Sequence, residues 1–181
     1  KTIQYEKGIY QTENFFKGAA LVGDPSQGTG NSAIFTNQYI ENIMINHGFN
    51  ADDIATYYQS GNADNWVENQ FDSGILYYNY RGFYGSSDIN ESGFNNGYDN
   101  PFVTSLTCGT GSFHCYGNQG GPCDSDSENF IRGGTIGTPN GAVAAVGVST
   151  LGTHTAYNNI IDMGIYDGIF PKKLDYASQA L

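Results

Sequence analysis

The chain has 181 residues, of which 39% are apolar, enough for one domain with a continuous hydrophobic core. Its 18 acidic and 7 basic residues give a formal net charge of −11, which argues against nucleic-acid binding and attachment to anionic membranes, since both need clustered Lys and Arg. No stretch is long and apolar enough to span a bilayer. The excess of acidic residues is compatible with cationic substrates, with calcium binding, or simply with an extracellular location.

The first half of the chain predicts two strand–helix units followed by a further strand. Apolar runs bounded by Gly or Asp indicate the strands, and apolar positions at helical spacing indicate the helices. The predicted elements are a strand at 18–24, a helix at 32–47, a strand at 54–58, a helix at 62–71 and a strand at 74–80.

The second half continues the same alternation. Its predicted elements are a strand at 101–107, a helix at 127–132, a strand at 140–148 and a helix at 156–168. Alternating strands and helices are typical of an α/β fold, here a mainly parallel β-sheet with helices on both faces. Sites in such folds form at the carboxyl ends of the strands. Three loops are expected there, at 81–100, 108–126 and 149–155.

The three cysteines are Cys108, Cys115 and Cys123, and an odd number leaves at least one without a partner in the chain. Cys115 and Cys123 bracket a Gly-rich loop, and an oxidising compartment would favour a disulfide between them. Cys108 then stays free at the end of a predicted strand, just before Gly-Thr-Gly. It is either a nucleophile or a buried thiol that packs as a small apolar residue. Zinc binding is disfavoured, because no paired Cys-x-x-Cys motif is present.

Several segments, in order, resemble the gingipain cysteine peptidases, which belong to the same clan as the caspases. Segment 1–6 resembles the entry to the family's subdomain, and 75–80 resembles the strand that presents the catalytic His. Segment 107–113 resembles the strand end with the catalytic Cys, and 126–131 resembles the helix that follows it. Segment 141–150 resembles the next strand and the specificity loop. The resemblance implies a caspase-like three-layer fold, a peptide or protein substrate, and a secreted or cell-surface bacterial protein. It also implies that Cys108 is the nucleophile and that the backbone amides of Gly82 and Cys108 hold the oxyanion.

One motif departs from the family pattern. Where the family has Gly-His-Gly, this chain has Gly-Phe-Tyr-Gly at 82–85, and neither Phe83 nor Tyr84 acts as an ordinary base near neutral pH. His154, in the loop after the 140–148 strand, is the first substitute, although it can equally be a loop or specificity-pocket residue. The weaker candidates are His114, a loop residue, and His47, at a helix end. The family's orienting acid can only be Asp24.

Four further residues are assigned to substrate binding. Arg81 is expected to favour the Cys108 thiolate, to contact a substrate carboxylate, or to form a salt bridge. Tyr84 and Thr150 lie in loops at the predicted site. Asp162 is interpreted either as lining a pocket for a basic side chain or as a surface residue of the last helix.

Calcium is the one metal that the sequence suggests, as a structural ion and not as a required cofactor. Asp88, Glu91, Asp99, Asp124 and Asp126 lie in loops rich in Gly and Asn, and hard oxygen ligands suit this ion. No EF-hand spacing is present, so the same residues can equally be solvated loop acids.

The predicted organisation is a caspase-like subdomain over 1–170 and a tail over 171–181, interpreted as a linker to a missing domain of a longer precursor. Three functions follow from it. The first is a secreted cysteine endopeptidase domain that uses Cys108. The second is an inactive pseudo-peptidase, kept for binding or assembly, with the dyad broken at Phe83. The third is a surface or filament protein that assembles with its own copies.

Overall fold

The computed structural model describes residues 1–8, 10–26, 28–86, 89–112 and 124–174. Its strands are β1 (Ala19–Gly23), β2 (Ile54–Tyr57), β3 (Tyr77–Arg81), β4 (Phe102–Ser105) and β5 (Ala144–Gly147). Its α-helices are α1 (Thr2–Glu6), α2 (Ser32–Asn46), α3 (Asp64–Ser73), α4 (Asp126–Arg132) and α5 (Thr155–Ile169). Each predicted strand and helix is found at its predicted place, with shifts of a few residues at the ends.

The five strands form one parallel sheet in the order β2-β1-β3-β4-β5. Its centre is marked by Asn79 of β3, which lies beside Leu21 of β1 and Thr104 of β4. The strand order reverses between β1 and β3, and sheets of this kind bind ligands at the carboxyl edge near such a point. The predicted α/β fold with a parallel sheet and helices on both faces is confirmed.

Helices cover both faces of the sheet, so the central strands β1, β3 and β4 are largely buried. On one face, Phe71 of α3 and Phe130 of α4 pack on Tyr78 and Tyr80. The ring of Phe71 stacks on that of Phe94 at 4.1 Å between centroids. On the other face, α2 and α5 pack against each other and against the sheet; their buried members there include Ile40, Met44, Ile165 and Tyr166.

A buried polar seam, formed by Asn37, Asn79, Thr104, Asp162 and Tyr166, crosses this second face. The Asn79 amide donates to Asn37 Oδ1 at 2.8 Å and to Asp162 Oδ2 at 2.9 Å. Thr104 Oγ1 donates to Asn79 Oδ1 and lies 2.9 Å from the Tyr166 hydroxyl. The seam therefore holds α2, β3, β4 and α5 in one register.

Asp162 corrects two of the sequence interpretations, because its side chain is completely buried. It can be neither a surface residue nor part of an open pocket. Burial raises the pKa of its carboxyl to about 7, although the nearby charge of Arg81 and the Asn79 hydrogen bond act in the opposite direction. Within the described residues, Asp162 Oδ1 has no hydrogen-bond partner.

The chain ends are tied to the sheet layers as far as they are described. Lys1 Nζ donates to the carbonyl oxygens of Ile131 and Asn140, at 2.6 and 2.8 Å. After α5, the backbone N–H of Leu174 donates to Gly168 O at 3.1 Å. The boundary at 170 stays a prediction, and 175–181 lie outside the described residues. No helix in the described ranges has the length and apolar character that crossing a membrane requires.

Candidate active site at the carboxyl edge of the sheet

The loops that follow β1, β3, β4 and β5 meet at the carboxyl edge of the sheet. The N–H of Asp24 donates to Arg81 O at 2.8 Å, which joins the first two loops. The N–H of Gly85 donates to Cys108 O at 3.2 Å, and Tyr84 pairs with Cys108 in an isolated parallel bridge. The N–H of Gly109 donates to Thr150 O at 3.2 Å. We call Tyr84, Cys108, Thr150 and Thr153 the thiol corner.

Cys108 is half-buried and has a free thiol. Its Sγ lies 3.5 Å from Thr153 O and 3.4 Å from Thr153 Oγ1. Asn158 Nδ2 donates to Thr153 Oγ1 at 3.1 Å, so the threonine proton is available for the sulfur. The carbonyl oxygen suits a protonated thiol and the hydroxyl suits a thiolate. In the described part of the chain, Thr153 supplies all the hydrogen-bond partners of the sulfur.

The resemblance places the expected base at Phe83, or at Tyr84 if the turn has an insertion, and the ring of Phe83 lies against the loop after β1. A Cβ placed on Gly28 would lie 2.6 Å from Phe83 Cε2, so ring and loop are in close contact. The ring is 42% exposed and the neighbouring Tyr84 is 64% exposed. This place at the site is therefore filled by an apolar ring that exchanges no proton.

His154 lies at the rim of the site, as predicted, but its ring caps the N-terminus of helix α5. It is the N-cap of α5, and its Nδ1 accepts the N–H of Ala156 at 3.1 Å. An Nδ1 that accepts this bond carries no proton, so the neutral ring holds its proton on Nε2. Such a ring has no free lone pair with which to take a proton from a thiol.

Of the other two histidines, the structure describes only His47, which lies away from the thiol corner. His47 caps the C-terminal end of α2 and lines a cavity with Phe16 and Phe49, at the amino edge of the sheet. Its ring lies 6.4 Å from that of Phe170. His114 lies outside the described residues.

Arg81 is completely buried, which corrects the prediction that it contacts substrate. Its Nε donates to Asn159 Oδ1 at 2.9 Å, and its Nη1 donates to Leu106 O. No carboxylate in the described ranges lies within 4 Å of it, so these residues do not supply the predicted salt bridge. Burial lowers the pKa of the guanidinium, while the charges of Asp162 and Cys108 raise it.

Gly82 has a packing function in this structure. Its N–H donates to Thr107 Oγ1 at 3.3 Å, so the amide predicted to hold the oxyanion already has a partner. A Cβ at this position would lie 2.5 Å from the Tyr80 hydroxyl, which explains the glycine. The oxyanion role of the Cys108 amide stays a prediction.

Sequence reasoning missed Thr153, Asn158 and Asn159, which hold Cys108 and Arg81. One signal was available. Asn158 and Asp162 lie four residues apart, and polar side chains at this spacing share one face of a helix. Both are buried, so this polar face of α5 points inward.

The described acidic residues assigned to calcium do not all lie together. Asp99 accepts hydrogen bonds from the N–H and the hydroxyl of Thr12, at 2.8 and 2.7 Å. Asp99 precedes strand β4 in the chain, whereas Asp126 follows β4. Asp124 pairs with Arg132 at 2.7 Å. Burial raises the pKa of Glu91 to about 7, and the charges of Asp126 and Asp64 add to the effect.

No group of three metal-binding side chains is found where the chain is described. Asp88 lies outside the described residues, as do Cys115 and Cys123, whose disulfide stays a prediction.

Comparison with known proteins supplies the family. The family model described as peptidase family C25 matches residues 1–181. The crystal structure of the Arg-specific cysteine proteinase gingipain R (RgpB) has a TM-score of 0.73 and 23% identity, covering 94% of this chain and 41% of that one. A complex of Porphyromonas gingivalis RgpB pro- and mature domains has a TM-score of 0.72 and 25% identity, covering 93% and 40%. No curated protein matches the chain.

The chain spans about two fifths of the length of these two structures. Their likeness confirms the gingipain fold that the sequence predicted. Since the family model covers every residue, the chain belongs to peptidase family C25, the gingipain family.

Proposed function

We propose that this chain is a pseudo-peptidase domain of the gingipain family, which binds peptide or protein segments at the thiol corner without hydrolysing them. The observation that carries the proposal is the environment of Cys108, whose sulfur lies beside Thr153 and, among the described residues, has no imidazole as a hydrogen-bond partner. Peptide hydrolysis by a thiol needs a group that takes the thiol proton and returns it to the leaving amine. Phe83 cannot do this, and the His154 ring has its acceptor nitrogen in a helix cap.

The surroundings of the sulfur support peptide binding. A Cβ on Gly109 would lie 3.0 Å from Leu151 and 3.7 Å from Tyr84, so both side chains flank the backbone next to Cys108. Leu151, Phe83 and Tyr84 are all exposed. Aromatic side chains are enriched in the contact surfaces of proteins that bind other polypeptides. The net charge of −11 favours segments that carry Lys or Arg.

The second candidate is the secreted endopeptidase, with Cys108 as nucleophile. It is favoured by the place of Cys108 just after β4, beside the loop that follows β5, where the N–H of Gly109 donates to Thr150 O. In this function His154 would leave its cap to act as base, and the Cys108 amide would hold the oxyanion. A positioned general base typically contributes a factor of about 10² to 10⁴ in rate, which is the gain that this rearrangement would have to supply.

One set of variants separates the two functions. Fluorogenic peptides with Arg, Lys or an apolar residue before the scissile bond are incubated with the wild type, Cys108→Ala and His154→Gln. We expect no turnover that depends on Cys108, and we expect labelled Arg-containing peptides to bind wild type and Cys108→Ala alike in fluorescence polarisation. Turnover lost in Cys108→Ala would establish the endopeptidase instead. Absence of both turnover and binding would reject a peptide-directed function.

The proposal extends to location. A secreted or cell-surface bacterial protein agrees with the acidic composition and with the predicted Cys115–Cys123 disulfide. Flanking domains of a longer precursor are the natural partners, as the complex of RgpB pro- and mature domains illustrates for that relative. Peptide mapping of the natural protein under non-reducing conditions tests the disulfide. Recovery of Cys115 and Cys123 as free thiols would contradict it.

A structural calcium ion and assembly between copies stay open as additions to this function. For calcium, Glu91 and Asp126 are the acids that share a neighbourhood, since the charge of one raises the pKa of the other. We expect calcium to raise the melting temperature of the wild type more than that of Glu91→Gln. Sedimentation at increasing concentration measures assembly.

A further inference from the structure

The guanidinium of Arg81 is the largest buried charged group beside the thiol corner that the proposed function does not use. It lies at the carboxyl end of β3, next in the chain to the Gly82 turn. Burying a charge costs several kcal/mol unless hydrogen bonds and opposite charges compensate it, so its place needs a physical reason.

Its hydrogen bonds join two separate segments of the site. Nη1 donates to Leu106 O, two residues before Cys108. Nη2 lies 3.5 Å from Thr155 O and also donates to Asn159 Oδ1, both in the first turns of α5. The residues just before α5 include Thr153, which contacts the sulfur. The planar guanidinium thus bridges the segment that carries Cys108 and the segment that carries its partner.

The positive charge of the guanidinium also lies near the segment that carries Cys108. In the described part of the chain, its hydrogen-bond acceptors are neutral carbonyl and amide oxygens. The groups whose negative charge would raise the pKa of the guanidinium are Asp162, Cys108 and Tyr80. Asp162 accepts a hydrogen bond from Asn79 with one carboxylate oxygen, and its carboxylate oxygens lie more than 4 Å from the nitrogens of Arg81. The guanidinium therefore places a positive charge at the strand end that carries Cys108, two residues from the oxygen that Nη1 contacts.

We propose that Arg81 is a positioning residue of the thiol corner, which fastens the end of β4 to the first turn of α5 and keeps a fixed positive charge beside the Cys108 sulfur. This goes beyond the proposed function, because it concerns the reactivity of the thiol and holds whether or not peptides are cleaved.

The test is the rate of alkylation of Cys108 by iodoacetamide between pH 6 and 10, read by mass spectrometry on the peptide that contains Cys108. Arg81→Gln removes the charge, and Arg81→Lys keeps the charge but loses the planar fork. Circular dichroism and thermal melting check that each variant folds. We expect Arg81→Gln to move the pH midpoint of alkylation upwards by about one unit and to lower the rate at pH 7 about tenfold. Arg81→Lys should have a midpoint closer to that of the wild type.

A folded Arg81→Gln with the midpoint and rate of the wild type would overturn the proposal. Should the Arg81 variants fail to fold, Asn159→Ala keeps the guanidinium and removes one of its acceptors, and a changed rate with a changed midpoint is then expected. If no variant folds, the wild-type midpoint is compared with that of the same cysteine in urea, and a native midpoint above the unfolded one would overturn it. Peptide binding is measured separately, so failure here is distinct from failure of the proposed function.

Discussion

Replacement of Asp162 by Asn should change how the stability of the protein depends on pH. The Asp162 carboxyl is fully buried, and burial raises its pKa from the ordinary value of 3.8 to about 7. The folded protein therefore keeps this proton at pH values where the unfolded chain has released it. Stability falls with pH wherever the folded state binds more protons, so the free energy of unfolding should decrease between about pH 4 and pH 7 and level off above.

The size of the effect follows from the pKa difference. One unit corresponds to about 1.4 kcal/mol, so a shift of about three units sets an upper limit of about 4 kcal/mol on the loss. The amide of the Asp162→Asn variant would not titrate, and its oxygen can still accept from Asn79. Its NH₂ group would lie at the place of the unpartnered Oδ1, at a cost of about 1 to 3 kcal/mol. We expect Asp162→Asn to be less stable than the wild type at pH 4.5 and more stable at pH 8, by about 1 to 3 kcal/mol in each direction.

Urea unfolding followed by the fluorescence of Trp66, the one tryptophan in the chain, measures this at pH 4.5, 6, 7 and 8. Asp167→Asn is the matched control on the same helix. It removes the ion pair of Asp167 with Lys172, at 3.0 Å on the surface, which is worth about 0 to 1 kcal/mol. Equal pH dependence in the wild type and Asp162→Asn would refute the reasoning.

Two further predictions concern single positions. Phe83→His puts an imidazole at the position where the resemblance to the gingipains expects the catalytic His. We expect it to raise Cys108-dependent peptide cleavage at least tenfold over the wild type, with Phe83→Leu as the inactive control. No gain in cleavage would show that the missing imidazole is not what limits the site. Gly147→Ala should lower the free energy of unfolding by about 1 to 3 kcal/mol, because a Cβ there would lie against Ser127 Oγ and 2.7 Å from Gly111 N. Gly137→Ala, with nothing within 4 Å of the added Cβ, should change it by less than about 0.5 kcal/mol, and a loss of equal size in both variants would contradict the argument.

The fold could be predicted from the sequence because its signals are local. Each strand is a short apolar run, and each long helix shows apolar residues at helical spacing. The position of Cys108 at a strand end followed from the same pattern, as did the loops that surround it. The likeness of segments such as 107–113 and 141–150 to the gingipains added the family, which the comparison then confirmed.

The interior of the site could not be predicted in the same way. Charged residues are almost never fully buried, so Arg81 and Asp162 were assigned to the surface or to substrate. Their burial depends on partners 25 to 83 residues away in the chain, Leu106 and Asn79 among them, which local patterns do not reveal. The grouping of Asp99 with Asp126 in one calcium site can be judged from the order of the elements. Asp99 precedes β4 and Asp126 follows it, and the two ends of a strand lie at opposite edges of a sheet.

The buried polar seam also bears on how the protein folds. Its hydrogen bonds join residue 37 to residue 79, and residue 79 to residue 162, so they cannot be complete until α5 has been synthesised and has docked. Before that moment Asn79 and Thr104 lack Asp162 and Tyr166 as partners, and water hydrates them instead. A partly made chain is therefore held back from closing this face of the sheet. Arrival of α5 both buries the apolar residues and satisfies the seam, and this couples the final register of the sheet to the synthesis of α5.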